Sequence, residues 1–272
     1  MNAVRLAFGL LTAVPTGGLP RVDPRAARAA MLLAPVTALP LLAVVAAAHA
    51  MVAAGAPSLV AATLVVAFGA LYSRGMHLDG LADTADGLSA GYDAESSLRA
   101  MKASDTGPSG VAAVTLALLV EVVALGSLLP SGAGTGVACV AWLASRHTLA
   151  LACRRGVPAA QPEGLGALVA GTVGPLGLAT SAAVLAAVAA TLPLMASALP
   201  PSSFLATSAA GGSSTGWLGL LVAGSGLAAS AALVRRCRRR LGGISGDVLG
   251  AGIEVSLSAS LAVGALAVGM AS

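Results

Sequence analysis

Asp79, Asp83 and Asp86 stand within the run from His77 to Gly87, HLDGLADTADG. Their i, i+4, i+7 spacing confines them, on a helix turning about 100° per residue, to an arc of about 60°. Three carboxylates sharing one face repel one another by roughly a few tenths of a kcal/mol per pair even in water, and Gly80 and Gly87 lower the helix propensity further. Such a face calls for positive charge against it. A hard divalent cation supplies that charge, and Mg²⁺ commonly shares one or two carboxylates with substrate phosphates. That makes Asp79, Asp83 and Asp86 the metal candidates. On the same helix His77 points to the opposite side, which suits an N-terminal or substrate contact better than a fourth ligand. The plain structural alternative is a solvated acidic loop between membrane spans.

The elements that position these residues follow from composition. In 272 residues, 57% are hydrophobic and 10% charged, with 34 glycines and 3% aromatics, and the mean hydropathy is +0.91. These values exclude a water-soluble globular domain and place the chain in a bilayer, with helices packed through small residues. Cys139, Cys153 and Cys237 are odd in number, lack metal-ligand spacing and read as packing residues in a reducing compartment. The net charge of +4 is carried by short loops. Orientation and anionic lipid account for it, and nucleic acid is not expected as a partner.

A 30 Å hydrocarbon core needs about 20 helical residues. Apolar segments near 31–54, 57–74, 109–130, 135–153, 173–199, 215–234 and 249–270 predict an all-α, polytopic bundle of about seven transmembrane helices in one domain, 1–272. The apolar run before Pro15 is too short to span and reads as an interfacial or re-entrant anchor. Arg21, Arg25 and Arg28 follow on one helical face, as cytoplasmic anchors or phosphate contacts. All the basic residues lie at the N-terminal tail or beside the loops after spans two, four and six, while the alternate connections are uncharged. The positive-inside tendency then predicts a cytoplasmic N-terminus, an outside C-terminus and a charged cytoplasmic face that coincides with the acidic motif.

Other residues could take part. Lys102 precedes a glycine-containing turn, Gly107 to Gly110, which opens the third span; a phosphate could meet both its charge and the helix-start amides, or Lys102 could be an anchor. Asp247 and Glu254 are seven apart on one helical face. Glu254 lies about a turn inside the last span, where facing lipid would cost at least about a few kcal/mol, so it must face a polar interior. It is either a second metal or substrate contact or a structural partner of Arg146 or another base. Glu121 poses the same problem in mid-span.

HLDGLADTADGL, MKASDTGPSG (Met101 to Gly110) and LGGISGDVLGAGIE (Leu241 to Glu254) together resemble the cobalamin synthase family, adenosylcobinamide-GDP ribazoletransferase. The three blocks occur in the family's order, and the resemblance is effectively full-length. The second block departs from the family's MKDSRxGxxG, with Ala103 at the Asp position and Asp105 at the Arg position, which leaves Asp105 as a displaced carboxylate. The resemblance implies transfer of adenosylcobinamide phosphate from adenosylcobinamide-GDP to α-ribazole or its 5′-phosphate, with release of GMP. The ribose 3′-hydroxyl would attack the phosphorus nearest the cobinamide, with Mg²⁺ stabilising the departing nucleotide. Such chemistry needs a metal site, donors for the leaving phosphate and a base for the hydroxyl. Asp83, Asp86 or Asp105 could be that base; His77, Lys102, Asp247 and Glu254 are the substrate-binding candidates. The expected setting is a multi-pass protein of the cell inner or plasma membrane, its site facing the cytoplasm, with a homo-oligomer possible. The rival readings are a phospholipid-forming alcohol phosphotransferase, whose signature also contains DxxDG but continues differently, and a transporter with an acidic ion site.

Overall fold

The computed structural model describes residues 2–17, 23–91, 93–198 and 216–271; Arg21 and the connection 199–215 lie outside them. Among these residues every regular element is a helix. The order is α1 (Asn2–Leu11), α2 (Pro24–Leu33), a 3-10 turn (Ala34–Ala38), α3 (Leu39–Ala53), α4 (Ser58–Tyr72), α5 (Met76–Ser89), α6 (Ala94–Ala100), α7 (Pro108–Leu128), α8 (Gly132–Ala152), α9 (Gly164–Val169), α10 (Pro175–Ala196), α11 (Gly216–Leu241) and α12 (Gly246–Ala271). Local chemistry marks the starts. Proline occupies the first position of α2, α7 and α10, where its missing N–H removes no helical bond. Asp23, Asp93 and Ser131 cap α2, α6 and α8 by accepting from the amides of Ala26, Ser96 and Gly134.

Among the described residues, five stretches are long and apolar enough to cross a membrane: Pro24–Ala53, Pro108–Leu128, Pro175–Ala196, Gly216–Leu241 and Gly246–Met270. The pair α4 and α5 meets the same standard only when joined, and it is bent by 84°, so the count is five, or six if that pair is one broken span. By length and apolarity alone this count stays below the expected seven, for two reasons. α4 has only 15 residues. α8 is 21 residues long, but it runs through the middle of the bundle with every residue except Leu151 buried, and it carries Arg146 and His147. A helix shielded from lipid on all sides need not be apolar. We take α5, turned away from α4 and bearing three aspartates, as part of the polar end of the bundle rather than as a span. The apolar N-terminal run is the helix α1, whose Leu6, Ala7 and Leu11 are buried.

The charged connections meet at one end of the bundle. Pro158 O accepts from Ile244 N–H and Ile244 O from Ala160 N–H, tying the loop after α8 to the turn between α11 and α12, while Ala13 N–H reaches Tyr72 O at the end of α4. Two apolar clusters fill the interior. One takes in α3, α4, α7 and α10 with the first part of α8 as far as Ala144, and α12 from Leu257 onward. The other packs α1 and α2 against α8 from Leu149 and against α12 up to Ile253. Arg146 and Glu254 therefore sit on the boundary between the two.

Candidate active site

A left-handed pair, Arg74 at φ 56° and Gly75 at φ 71°, turns the chain from α4 into α5. α5 then lies along α12 at very close range. A Cβ on Gly80 would stand 2.6 Å from the carbonyl oxygen of Asp247, so only glycine lets the two backbones approach this far. The contact brings Asp247, in the first turn of α12, beside the acidic face of α5. Asp79 is exposed, while Asp83 and Asp247 are half-buried. Partial burial, and then the charges of Asp79, Asp247 and Asp86, push the Asp83 carboxyl up from its ordinary value to about 6. Four carboxylates from two helices thus act on one another, where the spacing along α5 alone predicted three.

Asp86 has a definite structural task. Its two oxygens accept from Gly107 N–H at 2.7 Å and Gly110 N–H at 2.8 Å. It therefore satisfies orphan amides at the start of α7, a favourable place for a negative charge. These are the donors expected for a phosphate beside Lys102, so a phosphate there would have to displace a carboxylate. A carboxylate keeps further lone pairs after two such bonds, which leaves Asp86 able to act on a cation as well. Lys102 and Asp105 are exposed in the stretch leading to α7. Asp105 is not among the charges that act on Asp83, so the structure does not bring it into the acidic group.

Behind α5 lies a second, buried group. His77 Nδ1 is 3.2 Å from Arg146 Nη1 and 3.7 Å from Glu254 Oε1. Burial, with the guanidinium alongside, holds the imidazole well below its ordinary value, so His77 is neutral and its contact with Glu254 is not an ion pair. Arg146 is 1% exposed, faces Glu254 and Glu121, and has its guanidinium carbon 5.9 Å from the centre of the Trp142 ring. Glu121 accepts from Ser258 Oγ at 2.8 Å. Glu254 thus faces the polar interior that its place in the span required, 3.7 Å from His77 and within the field of Arg146 but not in contact with it. The sequence signalled Glu121 and Glu254 as charges in apolar helices and offered Arg146 as a partner for Glu254; it carried no sign that His77 would turn inward to join them.

A cavity of about 200 Å³ joins the two groups, lined by His77, Asp79 and Asp247 on one side and by apolar residues of α1, α2, α8 and α12 on the other. The all-oxygen donors of the acidic group suit Mg²⁺. Among the described residues, however, no three His, Cys, Asp or Glu side chains are gathered closely enough to hold an ion together. The triad of Asp79, Asp83 and Asp86 is not assembled as a ligand set. An ion here would rest on one or two of the carboxylates and on phosphate oxygens of the substrate.

The sequence model of cobalamin-5-phosphate synthase matches residues 3–265. The chain belongs to this family. A relative from Nocardioides sp., named adenosylcobinamide-GDP ribazoletransferase, is 41% identical over 266 residues, covering 96% of each chain. Relatives of the same name from Frankia casuarinae and Halorubrum lacusprofundi are 38% and 36% identical, each covering 98% of this chain and 96% and 98% of their own. No solved structure matches. In this member of the cobalamin-5-phosphate synthase family the three motif blocks meet in space. The first forms α5, the second leads into α7 and is held by Asp86, and the third turns into α12 against Gly80.

Proposed function

We propose that this chain transfers adenosylcobinamide phosphate from adenosylcobinamide-GDP to the ribose hydroxyl of α-ribazole or its 5′-phosphate, releasing GMP. The observation that carries the reading is the close contact of Gly80 with Asp247, which gathers carboxylates of the first and third motif blocks at the mouth of a cavity. The names of the relatives supply the substrates.

The acceptor's ribose oxygen forms a bond to the phosphorus nearest the cobinamide, the pyrophosphate P–O bond breaks, and GMP departs with the electron pair. Asp83, its carboxyl raised to about 6, takes the hydroxyl proton near neutral pH, where it is largely ionised yet more basic than an ordinary aspartate. Asp79 and Asp247 would hold a Mg²⁺ ion, which when bound would offset the charge of the donor's phosphates and of the carboxylates. Asp86 fixes α7 against α5 and so keeps the acidic face in register. Arg146, buried and hydrogen-bonded to His77, ties α8 to α5 beneath the site, its charge balanced by the nearby Glu254. The cell membrane is the setting, with the charged end in the cytoplasm, because the basic loops all lie at that end.

The test is an assay of purified protein in lipid with adenosylcobinamide-GDP and α-ribazole, with and without Mg²⁺. Formation of adenosylcobalamin and GMP in equal amounts, lost on chelation, is expected. No product with either acceptor at saturating Mg²⁺ would sink the reading.

A further inference from the structure

A separate groove of about 370 Å³ runs between the end of α2 with its 3-10 turn and α10, floored by Leu143 and His147 of α8. Leu32 and Val36 stand on one wall and Thr180, Val184 and Val188 on the other. Thr180 and Val184 are exposed, and α10 is one of the stretches able to cross a membrane, so the groove opens sideways to lipid. None of its residues belongs to the acidic group or to the buried group behind α5.

His147 is 2% exposed. Its ring makes no hydrogen bond to the described residues, yet neither ring nitrogen is wholly enclosed by protein, so the imidazole offers its polar edge to the groove. A neutral imidazole has one donor to place. Left unpaired among apolar side chains, that donor is costly. The occupant should therefore be apolar along most of its length and accept one hydrogen bond at the level of His147.

The charged end of the groove says what else the occupant carries. Arg155 N–H donates to Val173 O at 2.9 Å, and its guanidinium lies over the start of α10, where a Cβ on Gly174 would stand 3.6 Å from Arg155 Cζ. Gly174 gives α10 no side-chain cap, which leaves the first amides of that helix without a helical acceptor and suited to an anion. Across the groove, Arg28 and Arg25 stand four and seven residues before Leu32, on one stripe of α2, and both are exposed. Among the described residues none of these three arginines forms an ion pair. From Gly174 to Ser181 the helix rises about 10 Å, and about as much again to Val188. Anion site, hydrogen-bond donor and apolar channel thus follow one another in the order of phosphate, ester and acyl chain in a phospholipid.

We propose that this groove binds one anionic phospholipid from the leaflet at the charged end of the bundle. Its phosphate lies at Arg155 and the start of α10 with Arg28 opposite, an ester carbonyl accepts from the His147 ring, and one acyl chain lies between Val36 and Val184. The site goes beyond the transferase reading and does not depend on it.

The test titrates delipidated full-length protein in neutral detergent with phosphatidylglycerol, phosphatidylcholine, ether-linked phosphatidylglycerol and glycerophosphoglycerol, the headgroup without chains. The melting midpoint reads affinity and native mass spectrometry reads stoichiometry. One phosphatidylglycerol per chain should bind, at least tenfold more tightly than phosphatidylcholine and roughly fivefold more tightly than the ether lipid, which lacks the carbonyl. Glycerophosphoglycerol should not compete. Arg28→Gln with Arg155→Gln should weaken phosphatidylglycerol by tenfold or more, whereas Arg235→Gln with Arg238→Gln, exposed and basic but outside the groove, should change it by less than about twofold. Val184→Trp should weaken every lipid. Equal binding of the anionic and neutral lipids, equal losses in the two arginine pairs, full competition by the headgroup alone, or no effect of Val184→Trp overturns the assignment. Equal binding of ester and ether lipids removes His147 from the site and sinks it too. A lipid-free dimer that Val184→Trp breaks would give the groove to a second copy of the chain instead.

Discussion

At the residue scale, the acidic face is a set of repelling charges whose cost shows in Asp83. Its carboxyl is raised from 3.8 to about 6 by burial and by Asp79, Asp247 and Asp86. The folded protein therefore binds this proton more tightly than the unfolded chain does, so folding loses stability as pH rises from about 4 through 6, and the full penalty is present above 6. In metal-free protein Asp83→Asn should raise the apparent melting midpoint at pH 7.5, with the advantage shrinking as pH falls through 6. A midpoint that is lower than wild type at pH 7.5 would contradict the repulsion. The same substitution should lower turnover by roughly 10²-fold or more, the usual scale for a lost general base. Asp105→Asn should stay within about twofold, as expected of an exposed carboxylate outside the acidic group.

At the element scale, the closeness of α5 to α12 rests on Gly80, and the closeness of α5 to the approach to α7 on Asp86. In Gly80→Ala the new methyl would meet backbone, 2.6 Å from Asp247 O and 3.0 Å from its Cα. Backbone on two packed helices yields little, so the helices must part, at a cost of about 1–3 kcal/mol. Gly87→Ala meets mainly the side chain of Met101, which can swing aside. Turnover should fall sharply in the first variant and much less in the second, with both proteins still inserted in membrane; equal losses would show that the α5–α12 distance is not what sets the site. The common face of Asp79, Asp83 and Asp86 was legible because it depends only on helical period. Gly80, read along the chain, is a weak helix former; its close contact involves a residue 167 positions later and leaves no local trace. The diversion of Asp86 to the amides of Gly107 and Gly110 is equally long-range. Glu254 was legible as a buried charge from hydropathy alone, but its neighbour His77 arrives from another helix.

At the scale of the whole molecule, hydropathy located the helices well and the number of spans less well. Six of the seven apolar segments each fall on one helix, and the first, 31–54, runs from the end of α2 through the 3-10 turn into α3. Apolarity, however, measures contact with lipid, and α8, enclosed by its neighbours, is relieved of that requirement and can carry Arg146 and His147. The distribution of charge nevertheless leads to a definite topology. Arg74, Lys102, Arg154, Arg155 and Arg238 to Arg240 lie near the helix ends that meet around α5, whereas the turns after α3 and α7 are uncharged. Cysteines 139, 153 and 237 are buried, so single cysteines introduced elsewhere, in a background lacking these three, can be read cleanly by a membrane-impermeant thiol reagent. Ala54→Cys and Ser58→Cys flank the turn between α3 and α4; Ser104→Cys and Gln161→Cys lie in the charged connections. In intact cells the first pair should label from outside and the second only after the membrane is opened. Labelling of all four from one side would mean that α4, 15 residues long, does not reach across, and that the acidic face of α5 is presented on the same side as the turn before α4.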